Sequence, residues 1–563
     1  MLDALPRELV EDLRLRRVIA PSHGGGLRLQ TDGRPLRDLL DLFEVPEIAG
    51  LPIHELLATK TLTAKLATEL ASSPVLQRFT RLNVVDVKIG EGLGVIVASP
   101  HARGLRALSV FSNGCASHAL RSIMDAGIAL ESLQLSDAAL TDEALTAFML
   151  SEAASSLRWF SSRRPLSPAL LQALAASPAL SGLRSLRLYN SKLKNLAPLL
   201  DATFHGLECL ALSGAPLTST AVVALGKSSF AKSLAELQLS STRLDDAGLQ
   251  RLAKSGLRLR RLDLERSRVF GPGLRALADA PEFAELEFLG LAFGRSVHGQ
   301  GDRAAEAVSS FSKLRELHLK QAAVTDTGIA SLCAMTALRK LDLAGNYVTA
   351  RGAAALAGAA FAPHLEALQL EAYPGDPKLE AAGGIALAQG QFPILRELSL
   401  RNQQIGDAGA IALSAAFPAL ASLDLSSCGL SAEGPAALSR ASFAATLEKL
   451  DLSFNAVGAS VVSLSALTRL RELTLVDAQL EEATMVRFLS QLPWSLQLID
   501  LQYSKQLGDG VLDGLIARAP QLVEVSGRLG MATEDKCRAL VAALKPPGGR
   551  TPAKRGIRAS LPA

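Results

Sequence analysis

The chain has 563 residues, 48% of them hydrophobic and 20% charged, with a formal net charge of +4. That balance belongs to a folded chain rather than a disordered one. No run reaches the ~18 apolar residues of a membrane span, and the opening MLDALPRELVEDLRLRRV mixes acids and arginines with no apolar leader, so no secretory signal is read there. Cysteines at 115, 209, 333, 428 and 537 are odd in number, scattered and without CxxC spacing. They exclude a disulfide framework and a zinc site and point to a reducing, cytoplasmic compartment.

In chain order, PRELVEDLRLRRV and PLRDLLDLF predict helices, and LTAKLATELASSP (62–74) reads as another. Residues 1–75 are therefore expected to form an N-terminal helical cap. LPRELVEDL superficially looks like the start of an F-box, although HGGG (23–26) interrupts it.

From residue 76 to 530 one pattern recurs. Copies of LxxLxL start at LRALSVFSNG (105), LESLQLSDAAL (130), LRSLRLYNSKL (183), LECLALSGAPL (207), LAELQLSSTRL (234) and LRRLDLERSRV (259). They continue through LEFLGLAFGRS (286), LRELHLKQAAV (314), LRKLDLAGNYV (338), LEALQLEAYPG (365) and LRELSLRNQQI (395). LASLDLSSCGL (420), LEKLDLSFNAV (447), LRELTLVDAQL (470) and LQLIDLQYSKQL (496) complete the run. FTRLNVVDVKI (79), LRWFSSRRPL (157) and LVEVSGRLG (522) are worn copies, and starts fall 23 to 30 residues apart. Apolar residues at positions 1, 4, 6 and 11 cannot share one face of a helix, but they suit a short strand and a turn. The following segment, as in GDAGAIALSAAFPA, has helical periodicity.

This chain resembles the leucine-rich-repeat family, in its long-repeat, ribonuclease-inhibitor-like class. The resemblance implies an α/β solenoid of about 17–18 repeats, a horseshoe with a concave parallel sheet and convex helices. Position 9, Asn113, Thr242, Asn346, Cys428 and Asn455 in five copies, is implied to point inward and satisfy turn backbone groups. It is Ala138, Ala215, Ala322 and Ala478 elsewhere, so those turns are expected to be less regular. Residues 531–545 read as a C-terminal capping helix, and 546–563 as a basic Pro/Gly-rich disordered tail. Arginine outnumbers lysine 42 to 17 and alanine is abundant, as in bacterial repeat proteins of this class.

Lys545, Arg550, Lys554, Arg555 and Arg558 account for the positive charge, and the residues before them sum to −1. Nucleic acid is therefore not an expected partner except through that tail. No catalytic set is found. GKSS (226–229) has Ala221 where a P-loop needs its leading glycine, GEGLG (90–94) reads as a turn, and HExxH and GxSxG are absent. No cofactor, metal, small-molecule substrate or enzymatic activity is expected. Cys333 and Cys537 read as helical core residues, and Cys209 as an exposed thiol. The acids of LDDAG (244–248), VTDTG (324–328), IGDAG (405–409), LTDEA (140–144) and LGDGV (507–511) recur at one offset. An active site occurs once, so they read as caps of the helices that follow.

What remains is the outward set at positions 3, 5, 7 and 8, because strand residues alternate faces. Between 185 and 241 it reads as mostly small and uncharged. Between 259 and 402 it is charged: Arg261, Asp263, Glu265, His318, Lys320, Lys340, Asp342, Glu371, Glu397 and Arg401, with Phe293 and Tyr373 as aromatic anchors. Two long loops, 293–306 and 371–384, lie beside it. The expected function is a non-enzymatic scaffold that binds a protein partner on this face. The alternative is an F-box-like substrate-recognition subunit or effector for ubiquitin ligation.

Overall fold

A computed structural model describes residues 19–21, 27–30, 43, 51–58, 62–85, 89–292 and 300–543, apart from 112–113, 138, 190–195, 203, 216–218, 268, 494, 520–521, 523 and 527–531. The chain divides into two compact units, Met1–Ser267 and Arg268–Pro547.

The first unit holds β1 (Ile19–Pro21), β2 (Leu27–Gln30), β3 (Ile53–Ala58), β4 (Arg81–Val85), β5 (Ala107–Phe111), β6 (Ser132–Leu135), β7 (Trp159–Ser162), β8 (Ser185–Leu188), β9 (Cys209–Ala211), β10 (Glu236–Gln238) and β11 (Arg261–Asp263). β1 and β2 are antiparallel, and from β2 onward each strand is parallel to the next. The second unit holds β12 (Phe288–Gly290), β13 (Glu316–His318), β14 (Lys340–Asp342), β15 (Ala367–Gln369), β16 (Glu397–Ser399), β17 (Ser422–Asp424), β18 (Lys449–Asp451), β19 (Glu472–Thr474), β20 (Leu498–Asp500) and β21 (Glu524–Ser526), all parallel in sequence order. A helix follows nearly every strand, so each unit is an α/β leucine-rich-repeat solenoid.

The leucine spacing sets the register. Position 4 of one repeat lies beside position 4 of the next, as in Leu317, Leu341, Leu368 and Leu398, and all are buried. A second spine of buried phenylalanines follows the helices, where the Phe392 and Phe417 rings stand 5.6 Å apart. Neither strand nor helix could bury its apolar side alone, so neighbouring repeats stabilise one another.

The amino-terminal region differs from the helical cap expected over 1–75. β1, β2 and β3 lie there, and β3 pairs with β4 to extend the sheet. IHELLA keeps the spacing of the repeat, with Ile53, Leu56 and Ala58 buried and Leu56 beside Leu82, but isoleucine and alanine stand where the pattern has leucines. The helices expected at PRELVEDLRLRRV and PLRDLLDLF fall almost wholly outside the described residues, as does the tail 546–563. GEGLG is not a simple turn, because a helix begins at Gly92. A Cβ on Gly92 would sit 2.8 Å from the Ala67 Cβ of the preceding helix, so the glycine permits that close approach. A helix at Glu534–Ala543 lies within the segment read as the C-terminal cap.

Of the position-9 side chains, Asn113 lies outside the described residues, and Asn346 and Asn455 do what the resemblance implied. Asn346 accepts from the N–H groups of Ala322 and Val324 at 3.0 Å and donates to the carbonyls of Leu319 and Leu343 at 2.8 Å. Asn455 repeats this with Cys428, Leu430, Leu425 and Leu452. Ala138 lies outside the described residues, but the turns at Ala322 and Ala478 are not less regular. Gln321 and Ala323 (φ 53° and 57°) and Asp477 and Gln479 (49° and 53°) match Asn402 and Gln404 (60° and 52°) around Gln403. The backbone explains this. The position-8 N–H donates to the position-7 carbonyl of the next repeat whatever position 9 is, as in Gln321 to Ala344 (2.8 Å) and Asn402 to Ser426 (2.8 Å).

The recurring acids also act differently from the expectation. Asp245 does cap its own helix, accepting from the Gly248 N–H at 2.9 Å. Asp302, Asp326, Asp407 and Asp509 instead sit in the first turn of their helices and reach into the next repeat. Asp407 Oδ1 accepts from the N–H groups of Ser431 (2.9 Å) and Gly434 (2.8 Å), while its other oxygen takes the Ser431 hydroxyl. Asp302 does the same with Thr325 and Gly328, and Asp326 with Thr349. The glycine of the motif is the receiving half. A Cβ on Gly328, Gly352 or Gly434 would lie 2.4, 2.4 or 2.7 Å from the incoming Asp Oδ1. Asp302, Asp326, Asp407 and Asp509 thus bond at the start of the neighbouring repeat's helix and tie repeat to repeat.

Candidate functional site

In the second unit the register aligns outward side chains into two rows. Phe288, Glu316 and Lys340 are neighbours in the first, and His318 lies beside Asp342 in the second. The His318 ring meets the Phe288 ring edge-on at 5.1 Å, and its Nε2 stands 3.1 Å from Glu316 Oε1. Between these two contacts the histidine is half-buried.

Lys320, Asp342, Glu371 and Tyr373 form a second group. The Lys320 ammonium lies 5.9 Å from the centre of the Tyr373 ring. Its hydrogen bond to Tyr373 holds the Lys320 ammonium above its usual pKa despite partial burial, and the charges of Asp342 and Glu371 add to the effect. Gly345 makes this possible. It is left-handed (φ 71°), and a Cβ there would fall 2.3 Å from the Tyr373 ring. Only glycine allows both the turn and the ring lying across it. Next along the sheet, Ser399 Oγ lies 3.4 Å from both Glu371 and Asp424, while Lys340, Glu397 and Arg401 are exposed. Phe293 lies outside the described residues.

In the first unit Asp263 accepts from Ser240 Oγ at 2.8 Å and from the Glu265 N–H at 2.9 Å, and Arg261 is exposed. The second of those bonds recurs. Asp342, Asp424, Asp451 and Asp500 each accept the N–H two residues on, at 2.8–3.0 Å. The position-5 aspartates therefore end their strands and start their turns. Recurrence, which marks IGDAG as scaffold, gives Asp263 and Asp342 a structural task as well.

The stretch from 185 to 241, read as small and uncharged, holds an ion pair. Arg187 Nη2 stands 3.5 Å from Glu236 Oε1, and Arg187 also contacts Ser185 Oγ and the Tyr189 hydroxyl. Both partners were legible at positions 5 and 3 of LRSLRL and LAELQL. Cys209, expected to be exposed, lies between Ser185 and Glu236 on the sheet and is buried. Burial pushes its thiol above its ordinary pKa, and the nearby Arg187 only partly offsets that.

The repeat, the register and the position-9 ladder agree with a family model described as Leucine Rich repeat, which matches residues 334–357, 393–414 and 444–460. The chain is a leucine-rich-repeat protein. It is 32% identical over 176 residues to the human leucine-rich repeat-containing protein 14, and equally to the Bos taurus protein of that name. The match takes in 30% of this chain and 36% of the relative, so the repeat protein covers about a third of the curated relatives' length. Among solved structures, TLR13 in the TLR13–ssRNA13 complex is 17% identical, with a TM-score of 0.45 over 85% of this chain and 72% of that one. The Rad7 and Elc1 complex in yeast gives 17%, 0.38, 74% and 83%. An internalin, inlF, of Listeria monocytogenes gives 16%, 0.34, 64% and 88%.

Among the described residues of this repeat protein, no three His, Cys, Asp or Glu side chains gather where they could hold a metal ion. No helix there is long and apolar enough to cross a membrane.

Proposed function

We propose that this chain is a non-catalytic, cytoplasmic interaction scaffold that binds a protein partner on the outward face of the second unit's sheet. The observation that carries the proposal is the Lys320–Tyr373 pair. A cation is held against an aromatic ring among Asp342 and Glu371, with exposed Lys340, Glu397 and Arg401 alongside. Ordered charges of both signs around an aromatic anchor give specificity through complementarity, and their mixed sign disfavours a nucleic-acid backbone. None of the five cysteines is joined in a disulfide among the described residues, which supports a reducing compartment. Pairing of β3 with β4 supports a cap continuous with the repeats rather than a separate F-box-like unit for ubiquitin ligation.

Affinity capture on the whole chain tests the proposal, with Lys320→Glu plus Glu371→Lys as the control. This pair keeps the net charge and spares Asp342, whose carboxylate the turn needs. A specific partner should be lost from the variant, and unchanged recovery would sink the site assignment.

A further inference from the structure

We infer that the turn edge of the repeats from 447 to 503 is a docking surface for a basic segment of a partner protein, one arginine or lysine of which seats between the Phe454 and Tyr503 rings; this rests on the sheet-face reading above. Among the described residues these are the two exposed aromatic side chains, at 48% and 60%. Other outward-facing aromatics are covered by their neighbours, as Phe288 is by His318.

Phe454 and Tyr503 occupy the same turn position two repeats apart, with exposed Asp477 at that position between them. All three backbones are left-handed, at φ 57°, 61° and 49°. Glycine is the unstrained residue there, as Gly345 is in its own repeat. The backbone ladder fixes their succession. Phe454 N–H donates to the Val476 carbonyl at 2.7 Å, and Asp477 N–H to that of Gln502 at 3.0 Å. Two strand spacings separate the rings by roughly 10 Å. A cation midway stands about 5 Å from each ring, inside the ~6 Å reach of a cation–π contact.

The neighbouring charges select the sign. Asp424 and Asp451 lie side by side on the sheet, and Thr474 then leads to Asp500. Lys449 is taken up by Glu472 at 2.8 Å. Arg401 acts on Asp451 without cancelling the combined effect of burial and Asp424, which keeps that carboxyl above its ordinary pKa. In the turn stretches 451–457, 474–480 and 500–507 Lys505 is the one cation, against Asp451, Asp477 and Asp500. An acidic partner would be repelled here, whereas a basic one brings the missing counter-charge.

The test uses the full chain and a fluorescein-labelled (Gly-Arg)4 peptide, read by fluorescence anisotropy, with (Gly-Glu)4 as control. (Gly-Arg)4 should bind saturably, more weakly at higher salt, and (Gly-Glu)4 should not bind. Phe454→Ala and Tyr503→Ala should each weaken binding by roughly 2- to 30-fold. Asp451→Asn with Asp500→Asn keeps the oxygens that accept the Ser453 and Gln502 N–H groups, so the turns persist. It should lower affinity and flatten the salt dependence. Equal binding by all variants, or by (Gly-Glu)4, overturns the inference. So does peptide binding seen only after residues 545–563 are removed, which would make this chain's own basic segment the occupant. A captured partner lost with Lys320→Glu plus Glu371→Lys, yet unaffected by Phe454→Ala and Tyr503→Ala, overturns this docking site and leaves the sheet-face proposal standing.

Discussion

Gly434→Ala should change sign when Asp407 is removed. In the native chain the new Cβ would stand 2.7 Å from Asp407 Oδ1, with Leu430 Cδ2 at 3.3 Å and Ala410 Cβ at 3.4 Å. The apolar neighbours can give way by a few tenths of an ångström, so the carboxylate is the obstacle. It must withdraw from the Gly434 N–H at 2.8 Å and strain its bond to the Ser431 N–H at 2.9 Å. Charged hydrogen bonds of this kind are worth roughly 1.5–3 kcal/mol each when buried, and less where water can replace them, as at exposed Ser431. A net loss of about 1–2 kcal/mol outweighs the ~0.5–1 kcal/mol that alanine offers over glycine in a helix. Asp407→Ala alone should cost about 1 kcal/mol, as for other helix caps. In that background the obstacle is gone, so Gly434→Ala should stabilise by up to about 1 kcal/mol. The alanine gain cancels between the two backgrounds, so the coupling is roughly 1–2 kcal/mol. A long repeat array need not unfold in two states. Hydrogen exchange of the helices Gly406–Ser414 and Glu433–Leu438 therefore reads the four proteins of the cycle. Effects additive within ~0.5 kcal/mol would refute the reciprocal Asp–Gly contact.

Three further outcomes follow from the same structure. Asn346→Ala leaves the N–H groups of Ala322 and Val324 and two buried carbonyls without their partner, so it should cost about 2–4 kcal/mol and raise exchange at those amides. Asp451 has its carboxyl pKa raised by burial first and by the Asp424 charge. The folded state therefore holds this proton to higher pH than the unfolded chain, and ionisation costs stability once pH rises through the folded value. Asp451→Asn should accordingly raise stability at pH 7 by several tenths to about 1 kcal/mol. The gain should fade as pH drops below the unfolded carboxylate value of ~3.9, and a thermal-melting series that shows no such fading would contradict it. The Cys428 thiol is buried and pushed up to about 12, so iodoacetamide at pH 8 should modify it only in molecules that open that repeat. Native labelling of Cys428 as fast as that of partly exposed Cys537 would contradict its placement.

The repeat was legible because its apolar spacing is itself the packing instruction. LxxLxL places leucines where they meet their counterparts in neighbouring repeats, and this holds even in the worn copies at 79, 157 and 522, which form β4, β7 and β21. IHELLA at β3 escaped because Ile53 and Ala58 replace the leucines of the pattern, although its buried residues keep the spacing and pair in register with β4. The outward positions were legible as a set, but not their occupation. Asp342 and Lys320 look alike as exposed charges in sequence, whereas one ends a strand through the Ala344 N–H and the other leans on Tyr373.

The sequence by itself determined the repeat and the strand-and-helix alternation through spacing within one unit, and the scaffold nature of the acid–glycine motif through its recurrence, while the inward asparagines were implied by the family resemblance. Only the tertiary structure decided where those acids bond, because Asp407 meets Ser431 and Gly434 across a repeat boundary that spacing does not encode. It also decided which aromatics remain open. Phe288 and Phe454 both sit on outward positions, but His318 covers the first and nothing comparable lies over the second among the described residues. Burial is a property of neighbours brought together by stacking, and that is the information a linear pattern lacks.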